Sequence, residues 1–205
     1  MRALVVYESM YGNTHAVATS IAAGLSATHE VTVVPVTRAT AELIAAADLI
    51  VAGGPTHLHG MSTVTSRRRA VEAARQPDSG LAMDPDADGS GLRSWLARLS
   101  TCDVLAASFD TRLSGPRVLT GRASRSISRL LALRGCRLLL APESFLVSRQ
   151  NTLDNGEAAR ACSWGALLGE VARATYATDR RLRVVERRWS MFKKTQVAPL
   201  AISRP

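Results

Sequence analysis

The sequence predicts a doubly wound α/β domain, a five-stranded parallel sheet in the order 2-1-3-4-5 with helices on both faces, three layers in all. Two observations predict it. Short apolar runs alternate with segments of helical periodicity five times along 205 residues. The first, third, fourth and fifth of those runs are apolar almost throughout, as strands buried on both faces are.

The first strand spans residues 3–8 and empties into a hydroxyl-rich turn, Ser9-Met10-Tyr11-Gly12-Asn13-Thr14. A helix follows to about residue 26, with Val17, Ile21 and Leu25 on one face. A strand that turns directly into a helix N-terminus presents unpaired N–H groups and a favourable dipole, so phosphate groups bind there readily. Residues 30–36 form the second strand, and Pro35 places it at a sheet edge, where a missing N–H costs no ladder bond. A short helix near 40–47 leads to the third strand, 48–53, then to the loop GGPTHLHGMS over 53–62 and a helix around 63–75.

Residues 76–91 break the pattern with Gly, Pro, Asp and Ser and read as a mobile surface insert. Asp84, Asp86, Asp88 and Gly89 copy the first half of a calcium loop. Trp95 stands where the bidentate glutamate is needed, so no calcium site is expected. A helix at 92–99, a fourth strand at 103–109, a loop at 110–119 and a helix at 121–134 come next. The fifth strand runs from Arg137 to Val147 with a disturbance at Pro142. Asn155 and Gly156 turn the chain into a last helix, 157–176, carrying Trp164, Leu167, Leu168 and Val171.

Apolar content of 46% with 21% charged residues suits a soluble globular protein. Cys102, Cys136 and Cys162 form no C-x-x-C pair and read as small buried hydrophobes in a reducing compartment. The N-terminus turns polar too soon for a signal peptide and no apolar run is long enough to span a membrane, so a cytoplasmic location is expected. The net charge is +9, and residues 179–205 hold eight Lys/Arg against Asp179 and Glu186. The expected division is therefore a domain over 1–177 and a basic tail over 178–205.

If the tail is helical, Leu182, Val185, Trp189 and Phe192 fall on one side, and a basic amphipathic helix of this kind lies on an anionic membrane surface or docks on a partner. A loosely packed extension is the other reading. No recognised nucleic-acid-binding fold accompanies the charge, which argues against that class of partner.

The phosphate chemistry of the first turn is narrowed by what is missing. There is no G-x-x-x-x-G-K-[ST] and no G-x-G-x-x-G, and the turn holds no cation, so amides and hydroxyls alone would neutralise a phosphate. A phosphotransfer receiver of the same topology needs an Asp closing the third strand and a Lys after the fifth. Gly53-Gly54 occupy the first position, and no Lys precedes Lys193. A low-molecular-weight phosphatase needs a cysteine in the first loop, and none is present.

The turn 9–14 resembles the [ST]-x-T-G-x-T phosphate loop of the flavodoxin family, with Tyr11 where the central threonine is usual. The loop 53–62 resembles that family's G-x-P-T-[aromatic]-x-x-G flavin loop. The doubly wound order would set the two loops side by side at the switch point between strands 1 and 3. The resemblance covers residues 1–176, as an atypical, basic member.

It implies a flavodoxin-like fold with FMN as cofactor. Ser9, Met10, Tyr11, Gly12, Asn13 and Thr14 would surround the phosphate. Pro55 and Thr56 would shape the second turn, His57 would stack on the ring, and Leu58, His59 and Gly60 would lie near flavin N5. A third contact would fall at Phe109, Asp110 and Thr111. His57 and His59 are the candidates for proton chemistry, because imidazole titrates near neutrality. Their H-x-H spacing finds no third ligand in the loop, so no metal site is expected.

Two departures stand out. The loop 110–119 offers no aromatic for the second flavin face, and Arg112, Arg117 and Arg122 lie close to the predicted site in sequence. Positive charge there favours reduced, anionic flavin and raises its midpoint potential. The expected function is an FMN-binding redox protein, either an electron carrier or a flavin-dependent reductase of a diffusible acceptor such as a quinone. The redox partner, or an NAD(P)H donor, is not legible. The alternative is a flavin-free flavodoxin-like binding or regulatory domain that acts through its basic tail.

Overall fold

In β1 (Arg2–Tyr7) every residue after Arg2 is buried, and successive side chains go to opposite faces. This strand lies inside the sheet for that reason. The computed structural model describes residues 1–87 and 89–196, and for residues 117 and 180–196 the backbone alone. After β1 come α1 (Asn13–Leu25), β2 (Glu30–Pro35), α2 (Ala41–Ala46), β3 (Leu49–His57), β4 (Gly60–Met61), α3 (Val64–Ala74) and α4 (Leu92–Arg98). The second half holds β5 (Leu105–Leu113), α5 (Arg117–Thr120), α6 (Ala123–Leu133), β6 (Arg137–Leu138), β7 (Glu143–Val147) and α7 (Glu157–Gln196).

The sheet runs β2-β1-β3-β5, and β6 and β7 share the place beyond β5. β6 pairs with Leu105 and Ala106, and β7 pairs in parallel with Phe109 to Leu113. The expected fifth strand is thus one strand in two pieces, interrupted over residues 139–142, where the missing N–H of Pro142 cannot join a ladder. β2, with Pro35, is the edge as expected. Among the described residues the named strands pair in parallel, except the hairpin of β3 and β4.

Both faces of the sheet are covered. Ala3, Val5, Tyr7, Val51 and Ala107 face α1 and α7, while Leu4, Val6, Ile50, Ala52 and Ala106 face α4 and α6. α1 and α7 cross closely because glycines stand at the contact. A Cβ on Gly24 would overlap the Cys162 carbonyl, and one on Gly165 the Ile21 carbonyl.

The structure departs from the expected boundaries at three ends. β3 runs on to His57 and β5 to Leu113, so residues 110–113 are strand and not loop. α7, expected to end at residue 176, continues as far as Gln196. The tail residues 197–205, and Asp88 of the calcium-like stretch, lie outside the described residues. Among the described residues no helix is long and apolar enough to cross a membrane.

The stretch 76–91 is anchored to the body. Asp84 N donates to Met10 O at 2.8 Å, Arg67 Nη2 donates to Ala87 O at 2.7 Å, and Ala87 packs with Met10 and Ala70. The acidic pattern of its second half thereby acquires partners on the first strand and helix.

Candidate functional site

Gly12 makes the turn from β1 into α1 at φ 88°, a left-handed value that costs any side chain energy. The space a Cβ would fill there is open. Ser9 Oγ tightens the turn by accepting the Gly12 N–H at 3.1 Å. No side chain caps α1, so its first N–H groups are left to whatever binds in front of them. Asn13 and Thr14 lie at that end and line a pocket of about 190 Å³.

Three further segments close the pocket: Pro55, Thr56 and His57 from the end of β3, Thr111 to Leu113 from the end of β5, and Val147 and Asn151 beyond β7. Thr14 Oγ1 and Thr111 Oγ1 share a hydrogen bond of 2.7 Å, joining the first turn to β5. Asn13 Nδ2 donates to Asn151 O at 3.0 Å and to Asn151 Oδ1 at 3.1 Å. Thr56 Oγ1 accepts the Ala123 N–H at 2.9 Å and so fixes the second loop to the start of α6.

His57 lines the pocket, and its Nδ1 lies 3.0 Å from Ser66 Oγ, which holds the ring in place. Burial pushes its pKa below the usual imidazole value, so the ring is neutral at neutral pH. Leu58 (φ 45°) and His59 (φ 74°) turn the chain into β4, the backbone hand of a tight hairpin turn. His59 backs onto Gly121, and its carbonyl accepts the Arg122 N–H at 3.3 Å. Leu58, His59 and Gly60 therefore form a rim beside the pocket lining rather than part of it.

The third expected contact divides. Thr111 faces the pocket, but Phe109 and Asp110 do not line it, and both are fully buried. Phe109 fills the space above Gly53, where a Cβ would overlap its ring, and packs edge-on against Phe145. Asp110 Oδ2 accepts the Ser124 N–H at 2.6 Å and so caps α6 from the neighbouring strand. Burial holds the Asp110 carboxyl above the usual carboxylate range. The reason is the longer β5: Phe109 and Asp110 lie within the strand, short of its end at Leu113, one packed into the core towards α1 and α7 and the other bonded to α6.

Tyr11 lines the pocket, but its hydroxyl is turned to α3. Its hydroxyl donates to Ala70 O at 2.8 Å and its ring joins Met10, Val71 and Met83. The hydroxyl expected of a threonine at this position is thus replaced by a strut to α3. Arg112 is buried, lines the pocket and donates through Nη1 to Thr120 Oγ1 at 2.7 Å and Gly115 O at 2.9 Å. Arg122 donates to Pro142 O and to Ser144 Oγ, and only the backbone of Arg117 is described. Of the two whose side chains are described, Arg112 lines the pocket and Arg122 does not.

Behind the first turn, Tyr7 and His15 stack with ring centroids 4.5 Å apart. His15 Nδ1 is 3.4 Å from Asp84 Oδ2, and Asp86 receives a forked pair of hydrogen bonds from Arg38 and one from the Tyr7 hydroxyl. Burial, with help from Asp86, raises the Tyr7 pKa. These carboxylates already face an arginine, a phenol and an imidazole.

Sequence reasoning missed Asn151 and Glu8. Asn151 reaches Asn13 from 138 residues away, and no local pattern signals it. Glu8 is a buried carboxylate at the end of an apolar strand, a position that by itself calls for partners.

The flavodoxin family model matches residues 5–99, which include both the first turn and the 53–62 loop. Over those residues the chain is similar to the flavodoxin family. Its fold is also that of solved flavodoxins. A flavodoxin from the domain Archaea is 16% identical, covering 84% of this chain and 99% of its own, with a TM-score of 0.58. Flavodoxin 1 from Bacillus cereus is 18% identical, with 83% and 98% covered and a TM-score of 0.56. The flavodiiron core Flv1 from Synechocystis is 16% identical with a TM-score of 0.56, and there the match takes 85% of this chain but 36% of the other. No curated protein sequence matches this chain.

Proposed function

We propose that this chain binds FMN between its first turn and the end of β3 and works as a flavin-dependent redox protein. The observation that carries the reading is the uncapped N-terminus of α1, which opens on the same pocket as His57. The residues fit the group. Gly12 leaves open space, the first-turn amides lack a side-chain cap, and Thr14 and Thr111 supply hydroxyls, a donor set that suits a phosphate. The pocket volume, about 190 Å³, is below the roughly 300 Å³ at which ligand sites usually begin, so the remainder of an FMN would lie across its open mouth.

When bound, FMN would supply one- or two-electron transfer through its ring system. The chain supplies the rest. Ser9, Gly12, Asn13 and Thr14 would hold the phosphate, with Asn151 fixing the Asn13 amide. His57, neutral and braced by Ser66, would present a flat ring to the flavin. Arg112 would place positive charge at the pocket wall and favour the reduced, anionic cofactor. That bias supports reduction of a diffusible acceptor such as a quinone over service as a strongly reducing carrier.

The test is direct. Purified protein mixed with FMN and passed through a desalting column comes out yellow, with flavin absorbance bands at one equivalent. Stopped-flow mixing with NADH or NADPH then separates reductase from carrier. A second reading, a flavin-free binding domain, draws on the Tyr11 hydroxyl, which is engaged by Ala70 O and unavailable to a phosphate. A colourless protein that takes up no FMN supports that reading and removes the first.

For the basic stretch at 179–205 we propose an anionic membrane surface as the partner, on charge alone. Salt-sensitive binding to anionic vesicles supports it, and no binding at low salt removes it.

A further inference from the structure

Cys102 and Cys136 come from the two segments that flank α6 and the start of β5. Cys102 lies between α4 and β5, and Cys136 follows the turn that ends α6. Backbone bonds hold the segments together: Cys102 N donates to Arg134 O at 2.8 Å, and Arg137 N donates to Val104 O at 2.8 Å. Arg134 adds a further tie, its Nε donating to Leu96 O at 3.1 Å. Within this frame the two sulfurs stand 3.2 Å apart and both are free thiols.

The pair is asymmetric. Cys102 is half-buried and lines a groove of about 700 Å³ between α2 and α4, together with Trp95, Leu99 and Val104. Cys136 is 6% exposed, and burial with the neighbouring sulfur pushes its pKa up to about 12. One thiol is open to a small reagent from the groove. The other is sheltered and already in contact with the first. That is the arrangement of an attacking thiol and a resolving thiol. Cys162 is also half-buried, but it lies on α7 beside Gly24, on the opposite face of the sheet from the other two.

We propose that Cys102 and Cys136 form a reversible dithiol–disulfide site, oxidised by a low-molecular-weight disulfide that enters through the groove. In the first step the Cys102 thiolate attacks one sulfur of the reagent. The reagent's S–S bond breaks, one thiolate leaves, and a mixed disulfide forms on Cys102. In the second step Cys136 loses its proton to the medium and attacks the Cys102 sulfur, expelling the second reagent thiolate. Two protein thiols are oxidised to one disulfide, and one reagent disulfide is reduced to two thiols. The bond would join the turn after α6 to the wall of the groove.

The test uses the full chain with excess oxidised glutathione at mildly alkaline pH, then denaturation, alkylation and mass spectrometry without reductant. The expected product has lost two hydrogens, carries one alkyl group on Cys162 and yields a linked peptide pair containing Cys102 and Cys136. Dithiothreitol restores three alkylatable thiols. In Cys136→Ser the resolving step is absent, and a glutathione mixed disulfide persists on Cys102. Three free thiols after oxidation, a persistent mixed disulfide in the wild-type chain, or a link to Cys162 overturns the proposal.

Discussion

Replacing Glu8 with alanine should unfold the chain more readily than any change at the pocket surface. Glu8 closes β1 with its carboxylate 4% exposed. It accepts Ser62 Oγ–H at 2.5 Å and Leu92 N–H at 2.7 Å, and Arg67 Nε stands 3.6 Å away. One carboxylate thus gathers β4, α3 and the start of α4 onto the end of β1. In Glu8→Ala the Arg67 cation and the Leu92 N–H lose their partner where water cannot replace it. Breaking a buried ion pair costs about 3–5 kcal/mol, and the hydrogen bonds to the charged group overlap with that figure rather than add to it. For a domain of this size each kcal/mol lowers Tm by roughly 2–4 °C, so the expected fall is roughly 6–20 °C.

Glu8→Gln separates charge from shape. The amide can still accept from Leu92 N and donate to Ser62 Oγ, so it loses mainly the attraction to Arg67, about 1–2 kcal/mol. Urea unfolding followed by tryptophan fluorescence and far-UV circular dichroism measures both variants. If Glu8→Ala lies within about 1 kcal/mol of wild type, or if Glu8→Gln is as damaging as Glu8→Ala, the reasoning fails.

Other outcomes are expected at named positions. Gly121→Ala puts a Cβ into the His59 backbone at a residue with φ 73° and should cost about 2 kcal/mol or more, read as a lowered urea midpoint. Thr14→Val removes the hydroxyl bonded to Thr111 and should weaken FMN binding by roughly tenfold in a fluorescence titration, about 1.4 kcal/mol. Asp110 has a folded pKa raised by burial, so the native state holds its proton more tightly than the unfolded chain. Its contribution is fully present below the unfolded pKa of about 4 and is lost as pH rises through the higher folded value. Asp110→Asn keeps an acceptor for Ser124 N and should be more stable than wild type at neutral pH, the difference shrinking in acid. A variant less stable than wild type across that range would contradict this.

The sheet was legible because burial on both faces writes itself as continuous apolar runs, as in Leu4 to Tyr7 and Leu49 to Ala52. The ends of β3 and β5 were not, because Pro55 to His57 and Asp110 to Arg112 are loop-like residues that tertiary pairing holds extended. Of the site, Gly12 and Thr14 could be read from a local turn, and His57 from its register after a strand end. Thr111 was reached by the resemblance but came with Phe109 and Asp110, since a strand end misjudged by four residues leaves open which side chains emerge. Asn151, and the contact of Cys102 with Cys136, depend on segments far apart in the chain. No periodicity records such meetings.

The decisive measurement compares FMN with riboflavin, which differs only in lacking the phosphate. Each is titrated into flavin-free protein and followed by quenching of flavin fluorescence. If α1 and the Ser9–Thr14 turn hold a phosphate, FMN binds at least about tenfold tighter than riboflavin, which is about 1.4 kcal/mol. The preference should shrink when inorganic phosphate is added in excess. Equal affinity for the two, or no binding of either, would contradict the assignment of this turn as a flavin phosphate site.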